Sequence, residues 1–227
     1  MPGGGRARSP GRMGGPRMSD KQPGISPSML PNLAACRAFE AGASCSTAAK
    51  RGVRIDKAIR EAWTAQNGGM LFDYAFFLSS LTPKDRESVE WALTELEILQ
   101  AANGAPIFTE GPEIQAAAAL DGIAGGTLDA ISPQARLLVE FKTGDKRDYA
   151  GQLAAYAAAC CKKYHVAAWR CVTIYIDKRE TENHVFSIDA AEQTVQSIVA
   201  SPFKRTTGPH CQWCGAKCWR KDKWKGK

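Results

Sequence analysis

At 227 residues, 44% of them apolar and 23% charged, the chain has the material for one substantial core and so for a single domain. No apolar run reaches bilayer length and no apolar signal core opens the chain, which excludes spanning and exported classes and leaves a soluble, cytoplasmic protein as the expectation. The net charge of +7 is terminal: residues 1–25 hold five Lys/Arg against one acid and residues 204–227 eight against one, so the middle is net acidic. Such arms suit a polyanion partner, and they also suit plain solvated tails.

Residues 1–25 are rich in Gly, Pro and Arg, cannot offset their ordering entropy, and are expected to form a disordered basic tail, within which Met18 is an alternative start. The single domain then runs over 26–218, followed by a basic tail at 219–227. Ser26–Cys36 reads as a short capped helix. A second helix spans about Thr47 to Gln66, with Ile55, Ile59, Ala62 and Trp63 on one stripe and Gly68-Gly69 as its stop. Thr82-Pro83-Lys84-Asp85 is a strong helix start, carrying a helix to Asn103-Gly104. The period then turns extended. Pro106–Thr109, part of Glu113–Leu120, Ile123–Ile131 and Leu137–Lys142 read as strands, with a turn at Ser132–Arg136. Asp148 to about Tyr164 is Ala-rich and helical. Cys171–Ile176 and Val185–Ile188 read as further strands, and Asp189-Ala-Ala-Glu192 as a capping box opening a helix to Ala200. This order predicts an α/β fold, a mixed central sheet flanked by helices.

The stretch Leu137–Gly144, Leu-Leu-Val-Glu-Phe-Lys-Thr-Gly, carries the chemistry. Alternation along a strand turns Leu137, Val139 and Phe141 one way and Glu140 and Lys142 the other. Asp129 precedes it in Gly-Gly-Thr-Leu-Asp, and Gln152 and Tyr156 follow four apart, on one face of a helix. Asp129 and Glu140 are hard oxygen ligands suited to Mg²⁺ or Mn²⁺. Lys142 is placed to hold a nucleophilic water or to offset charge on a phosphate. The plainer alternative is a Glu–Lys pair on a solvent-facing strand beside an ordinary helix.

The ordered series Gly-x-x-Asp, Glu-x-Lys-Thr-Gly, Gln-x-x-x-Tyr resembles the RecB-like branch of the PD-(D/E)XK nuclease superfamily, over about residues 26–218. The resemblance implies a restriction-endonuclease-like core and Mg²⁺- or Mn²⁺-dependent hydrolysis of DNA phosphodiesters. Exonuclease action on single strands or ends is the common form, in a bacterial or phage-infected cell, with recombination, repair or CRISPR-adaptation proteins as partners. By family role, Asp129 and Glu140 would be ligands, Lys142 the catalytic lysine, and Gln152 and Tyr156 would support the site and contact DNA. The family commonly carries a ligating His a few residues after a Gly on an N-terminal helix. Here Gly52-Val-Arg-Ile-Asp56 puts Asp56 in that place, either as a third hard ligand or as a surface partner of Arg60 at i+4. The rivals to an enzyme are a non-catalytic DNA-binding module of the same fold and a zinc-bearing interaction protein.

Of eight cysteines, Cys160, Cys161 and Cys171 fall in helix and strand patterns and read as small buried apolar residues. Cys211-Gln-Trp-Cys214-Gly-Ala-Lys-Cys218 has metal-ligand spacing and lacks a fourth ligand. Members similar to AddB and to CRISPR-adaptation nucleases use one Cys before the nuclease core and three after it. That resemblance implies Cys36 as the fourth ligand of a 4Fe-4S cluster, a clasp joining the two ends of the chain. Zn²⁺ with His210 or Cys45 is the alternative, as is no metal. The nearby Lys and Arg residues with Trp213, Trp219 and Trp224 could hold phosphates and stack unpaired bases, or simply cover the cluster and solvate the tail.

Overall fold

The computed structural model describes residues 24–42, 47–68, 74–216 and 218. The expected tails, apart from Gly24 and Ile25, lie outside that range, as do Met18, Cys45, Trp219 and Trp224. Ile25 itself is bonded, its N–H donating to the Gly122 carbonyl and its carbonyl accepting from the Ala124 N–H.

Six helices of α type lie among the described residues: α1 (Leu30–Ala35), α2 (Thr47–Asn67), α3 (Tyr74–Ser79), α4 (Pro83–Asn103), α5 (Ala150–Tyr164) and α6 (Ile188–Val199). Six strands are β1 (Gln115–Ala116), β2 (Gly126–Thr127), β3 (Ala130–Ser132), β4 (Leu137–Lys142), β5 (Ala168–Tyr175) and β6 (Glu180–Ser187). The main sheet has order β3-β4-β5-β6; β4 and β5 run parallel, joined by the α5 crossover, and the outer pairs are antiparallel. β1 and β2 form a separate short pair. Among the described residues no helix is long and apolar enough to cross a membrane.

Local chemistry accounts for the main boundaries. Thr82 caps α4, its hydroxyl accepting from the Asp85 N–H at 3.2 Å, and Gly104 ends the helix at φ +59°. Helix α5 is Ala-rich and buried from Gly151 to Cys161, because small side chains let it lie close on the sheet. A Cβ at Gly151 would come within 2.5 Å of the Ile198 side chain, which shows how tightly α6 sits on α5.

The sheet divides the core. Leu138, Leu153, Ala157, Trp169 and Cys171 pack with α5, α6 and α1 on one face. Leu137, Val139, Phe141, Val172 and Ile174 pack with Ile59, Trp63, Leu93 and Leu96 of α2 and α4 on the other. The fold is therefore mixed α/β, a mixed sheet flanked by helices.

Three expectations change. Pro106–Thr109 forms a single bridge, Phe108 to Ile131, instead of a strand. Ile123–Ile131 breaks into an Ile123 bridge, β2 and β3, with non-strand backbone at residues 128 and 129. Helix α6 starts two residues early, capped by the Ser187 hydroxyl accepting from Ala190, and β6 reaches back to Glu180.

Candidate functional site

The end of β4 places two polar side chains against α5. Leu137, Val139 and Phe141 belong to the core facing α2 and α4, so Glu140 and Lys142 project to the opposite face. Glu140 is only 4% exposed, which excludes the solvent-facing pair. Its Oε1 accepts from Lys142 Nζ at 2.7 Å and from Gln152 Nε2 at 2.6 Å, and Lys142 also donates to Gln152 Oε1 at 3.1 Å. Glu140 Oε2 is buried without a hydrogen-bond partner among the described residues. A buried carboxylate oxygen left unpartnered is costly unless a cation or donor meets it.

Asp129 lies in the break between β2 and β3. Its Oδ2 accepts from the Phe141 N–H at 2.8 Å, tying it across to the Glu140–Lys142 strand, and its Oδ1 accepts from Arg60 Nη2 at 2.8 Å. Tyr156, one turn beyond Gln152, packs on β2: a Cβ at Gly126 would lie 3.1 Å from its hydroxyl. Asp129, Glu140, Lys142, Gln152 and Tyr156 are thus brought together.

Asp56 joins them indirectly. Arg60 Nε donates to both Asp56 oxygens at 3.0 Å while Nη2 reaches Asp129, so the guanidinium bridges the two carboxylates. Sequence reasoning saw Arg60 only as the i+4 partner of Asp56. The available signal was that Gly52, Asp56 and Arg60 share one face of α2 at four-residue steps. Gly52 meets the same loop: a Cβ there would lie 2.8 Å from Thr143 Oγ1. Beside it, Arg51 donates to Asp85, Ser88 and Asp177, and Asp177 Oδ2 accepts from the Gly144 N–H at 2.7 Å. This network, also missed, pins the turn that follows Lys142.

The electrostatics follow from burial and crowding. Burial, with the charges of Glu140 and Asp56, holds the Asp129 carboxyl well above the usual carboxylate range against the pull of Lys142 and Arg60. Burial pulls the Lys142 ammonium down, but Glu140 and Asp129 outweigh it, so it titrates above its ordinary value and stays charged. Burial and the same two carboxylates raise the Tyr156 phenol, which remains a neutral donor.

The Cys-bearing segments meet as well. Ala41 bridges Cys214, and the Gly42 and Gly215 N–H groups donate to the Trp213 and Glu40 carbonyls. Cys36 Sγ accepts from the Thr206 N–H at 3.5 Å, and Cys211 Sγ contacts the Thr206 carbonyl at 3.8 Å. His210 Nε2 lies 3.6 Å from Cys211 Sγ. Cys36, Cys211 and Cys214 are buried and Cys218 half-buried, and none of the described cysteines is in a disulfide. Among the described residues no three His, Cys, Asp or Glu side chains close to metal-binding spacing, here or at Asp129. Trp213 also packs under Arg147, 3.8 Å from guanidinium carbon to ring centre, so this segment touches the loop between Lys142 and α5.

No protein-family model matches the chain, and no curated protein matches it. The solved structure titled "Crystal structure of SSO0001" is similar over 90% of this chain and 90% of its own, at 13% identity and a TM-score of 0.33. So loose a superposition carries no argument.

Proposed function

We propose that the chain is a Mg²⁺- or Mn²⁺-dependent deoxyribonuclease of the RecB-like PD-(D/E)XK type, acting on single strands or ends. The observation that carries this reading is the buried Glu140, hydrogen-bonded to a charged lysine, beside Asp129 and with one oxygen unpartnered. Two hard carboxylates fit a small divalent cation, and Asp129 and Glu140 would hold it, with Asp56 the third carboxylate of the cluster. Bound there, the cation would supply Lewis-acid stabilisation of the phosphate and a lowered pKa for water.

The remaining chemistry belongs to the side chains. Lys142, kept charged by its neighbours, is suited to holding a water or a phosphate oxygen and unsuited to taking a proton. Gln152 keeps Glu140 and Lys142 in one geometry, and Tyr156 offers a neutral hydroxyl on the same helix face. The four cysteines would form a 4Fe-4S clasp: two soft-donor segments already meet at Thr206 and at the Ala41–Cys214 bridge. The closeness of His210 to Cys211 makes zinc the alternative occupant.

The engagement of Asp56 by Arg60 is the one observation favouring a second reading, a DNA-binding module of the same fold without catalysis. The protein purified without oxygen should cleave end-labelled single strands with Mn²⁺ and not with EDTA. Lys142→Ala should abolish cleavage while strand binding survives, because phosphate contacts elsewhere supply most affinity. Full cleavage by that variant refutes the assignment. Binding without cleavage by the unaltered protein selects the second reading.

A further inference from the structure

We propose that Arg60 is the resident cation of the carboxylate cluster, doing the charge work of a second metal ion, so that the site takes a single divalent cation. The inference rests on the nuclease reading above.

Every guanidinium nitrogen of Arg60 is committed. Nε donates to both Asp56 oxygens at 3.0 Å, Nη1 to the carbonyls of Thr109 and Leu128 at 3.2 Å, and Nη2 to Asp129 Oδ1 at 2.8 Å. A surface i,i+4 pair would be loose. This one is held by main chain that cannot follow a departing side chain. Leu128 is buried, with its N–H bonded to the Ile114 carbonyl, and Thr109 is buried next to the Phe108–Ile131 bridge. A guanidinium is also always charged and forks onto carboxylates, so it serves as a permanent counter-ion.

Counting charges gives the stoichiometry. With Asp129 deprotonated as a cation binds, Asp56, Asp129 and Glu140 against Arg60 and Lys142 leave a single net negative charge. One divalent cation with one phosphodiester group neutralises the cluster. A second ion would leave it two charges positive, and buried net charge is strongly disfavoured. The oxygens agree with this count, since both of Asp56 are taken by Arg60 while Glu140 Oε2 is unpartnered. Asp56 is then a positioning residue that holds Arg60, where a neutral histidine would have needed no such partner.

Mn²⁺ titration of the anaerobically purified full chain, with free ion followed by electron paramagnetic resonance, tests the count. Glu140→Gln sets the baseline. One ion should be lost between the wild type and that baseline. Arg60→Gln should hold two, the first bound about tenfold tighter or more once a neighbouring unit charge is gone, and Arg60→Lys should hold one. Two ions on the wild type overturn the inference. So does an Arg60→Gln protein that melts as the wild type does and binds one ion at unchanged affinity. The wild-type count decides even where Arg60→Gln fails to fold. Two ions with cleavage intact remove only this inference, whereas no bound ion removes the nuclease reading with it.

Discussion

Glu140 and Gln152 form a pair that neither strand nor helix propensity requires. Gln152 is 3% exposed and presents both ends of its amide, donating to Glu140 and accepting from Lys142. Gln152→Ala removes both partners, and burial leaves no water to replace them, so about 1–3 kcal/mol of stability should be lost. On the proposed reading cleavage should fall while strand binding holds, and denaturant melts with gel-shift and cleavage assays on one preparation separate the two. A pH dependence belongs to Asp129. Its raised carboxyl must lose a proton before accepting a cation, so Mn²⁺ affinity should rise with pH through that raised value. The sign for the metal-free fold is opposite: the folded chain holds this proton more tightly than the unfolded one, so Asp129 adds stability as pH falls. Asp129→Asn should flatten the first trend, and an affinity independent of pH in the unaltered protein would contradict the assignment.

Helices α2 and α4 and the turn between β5 and β6 meet through Asp85, which is 3% exposed and accepts from Arg51 at 2.8 Å and Arg54 at 2.6 Å. Burial would raise the Asp85 carboxyl, but the two guanidinium groups overcome it and hold it below its ordinary value. The stabilisation is therefore fully present above the unfolded-state value and is lost as pH falls through the lowered one. Asp85→Ala removes the buried partner of Arg51, which also orients Asp177 and so the Gly144 turn, while Arg54, 54% exposed, stays solvated. The expected cost is about 1–3 kcal/mol, read as a lowered denaturation midpoint. Thr82→Ala should cost only about 1 kcal/mol, since it removes a single exposed cap. Equal effects from the two substitutions would show that the network contributes nothing beyond the cap.

At the scale of the molecule, residues far apart in the chain close on each other through Ala41 and Cys214, Cys36 and Thr206, and Thr206 and Ala35, whose carbonyl accepts from the Thr206 hydroxyl. Trp213 extends that contact to Arg147 in the loop between β4 and α5. If this clasp holds a 4Fe-4S cluster, anaerobic protein should be brown, with iron and acid-labile sulfide near four per chain. Ser at Cys36, Cys211, Cys214 or Cys218 should then remove the colour and lower the melting temperature, because binding free energy is folding free energy when ligands come from both chain ends. Ser at Cys160, Cys161 or Cys171 should keep the colour. These three lie buried between α5 and β5, where burial pushes the Cys160 thiol up to about 12 and makes thiolate ligation unfavourable. Stoichiometric zinc without iron would instead assign the clasp to a zinc site with His210.

Short-range physics accounts for what is legible in the residues alone. The Thr82 cap, the apolar stripe of α2, the alternation of Leu137–Lys142 and the four-residue step from Gln152 to Tyr156 are properties of neighbours in the chain. They place α2, α4, α5 and the two faces of β4, and they mark Asp129, Glu140, Lys142, Gln152 and Tyr156, which the fold brings together; α3 is not among the helices they predict. Between residues 106 and 132 extended stretches are legible, with β1 inside Glu113–Leu120 and β2 inside Ile123–Ile131, but their breaks are not, because pairing depends on distant partners: Phe108 on Ile131, Ile25 on Ile123, Gln115 on Thr127. The start of α6 differs because two capping residues stand two apart, and Ser187, the last residue of β6, takes the cap in place of Asp189. Only the tertiary structure decided that Glu140 is buried with one oxygen unpartnered, that Arg60 joins Asp56 to Asp129, and that Trp213 reaches Arg147. Each depends on which surfaces the sheet brings within hydrogen-bonding or van der Waals reach, and no local pattern of residues encodes that distance.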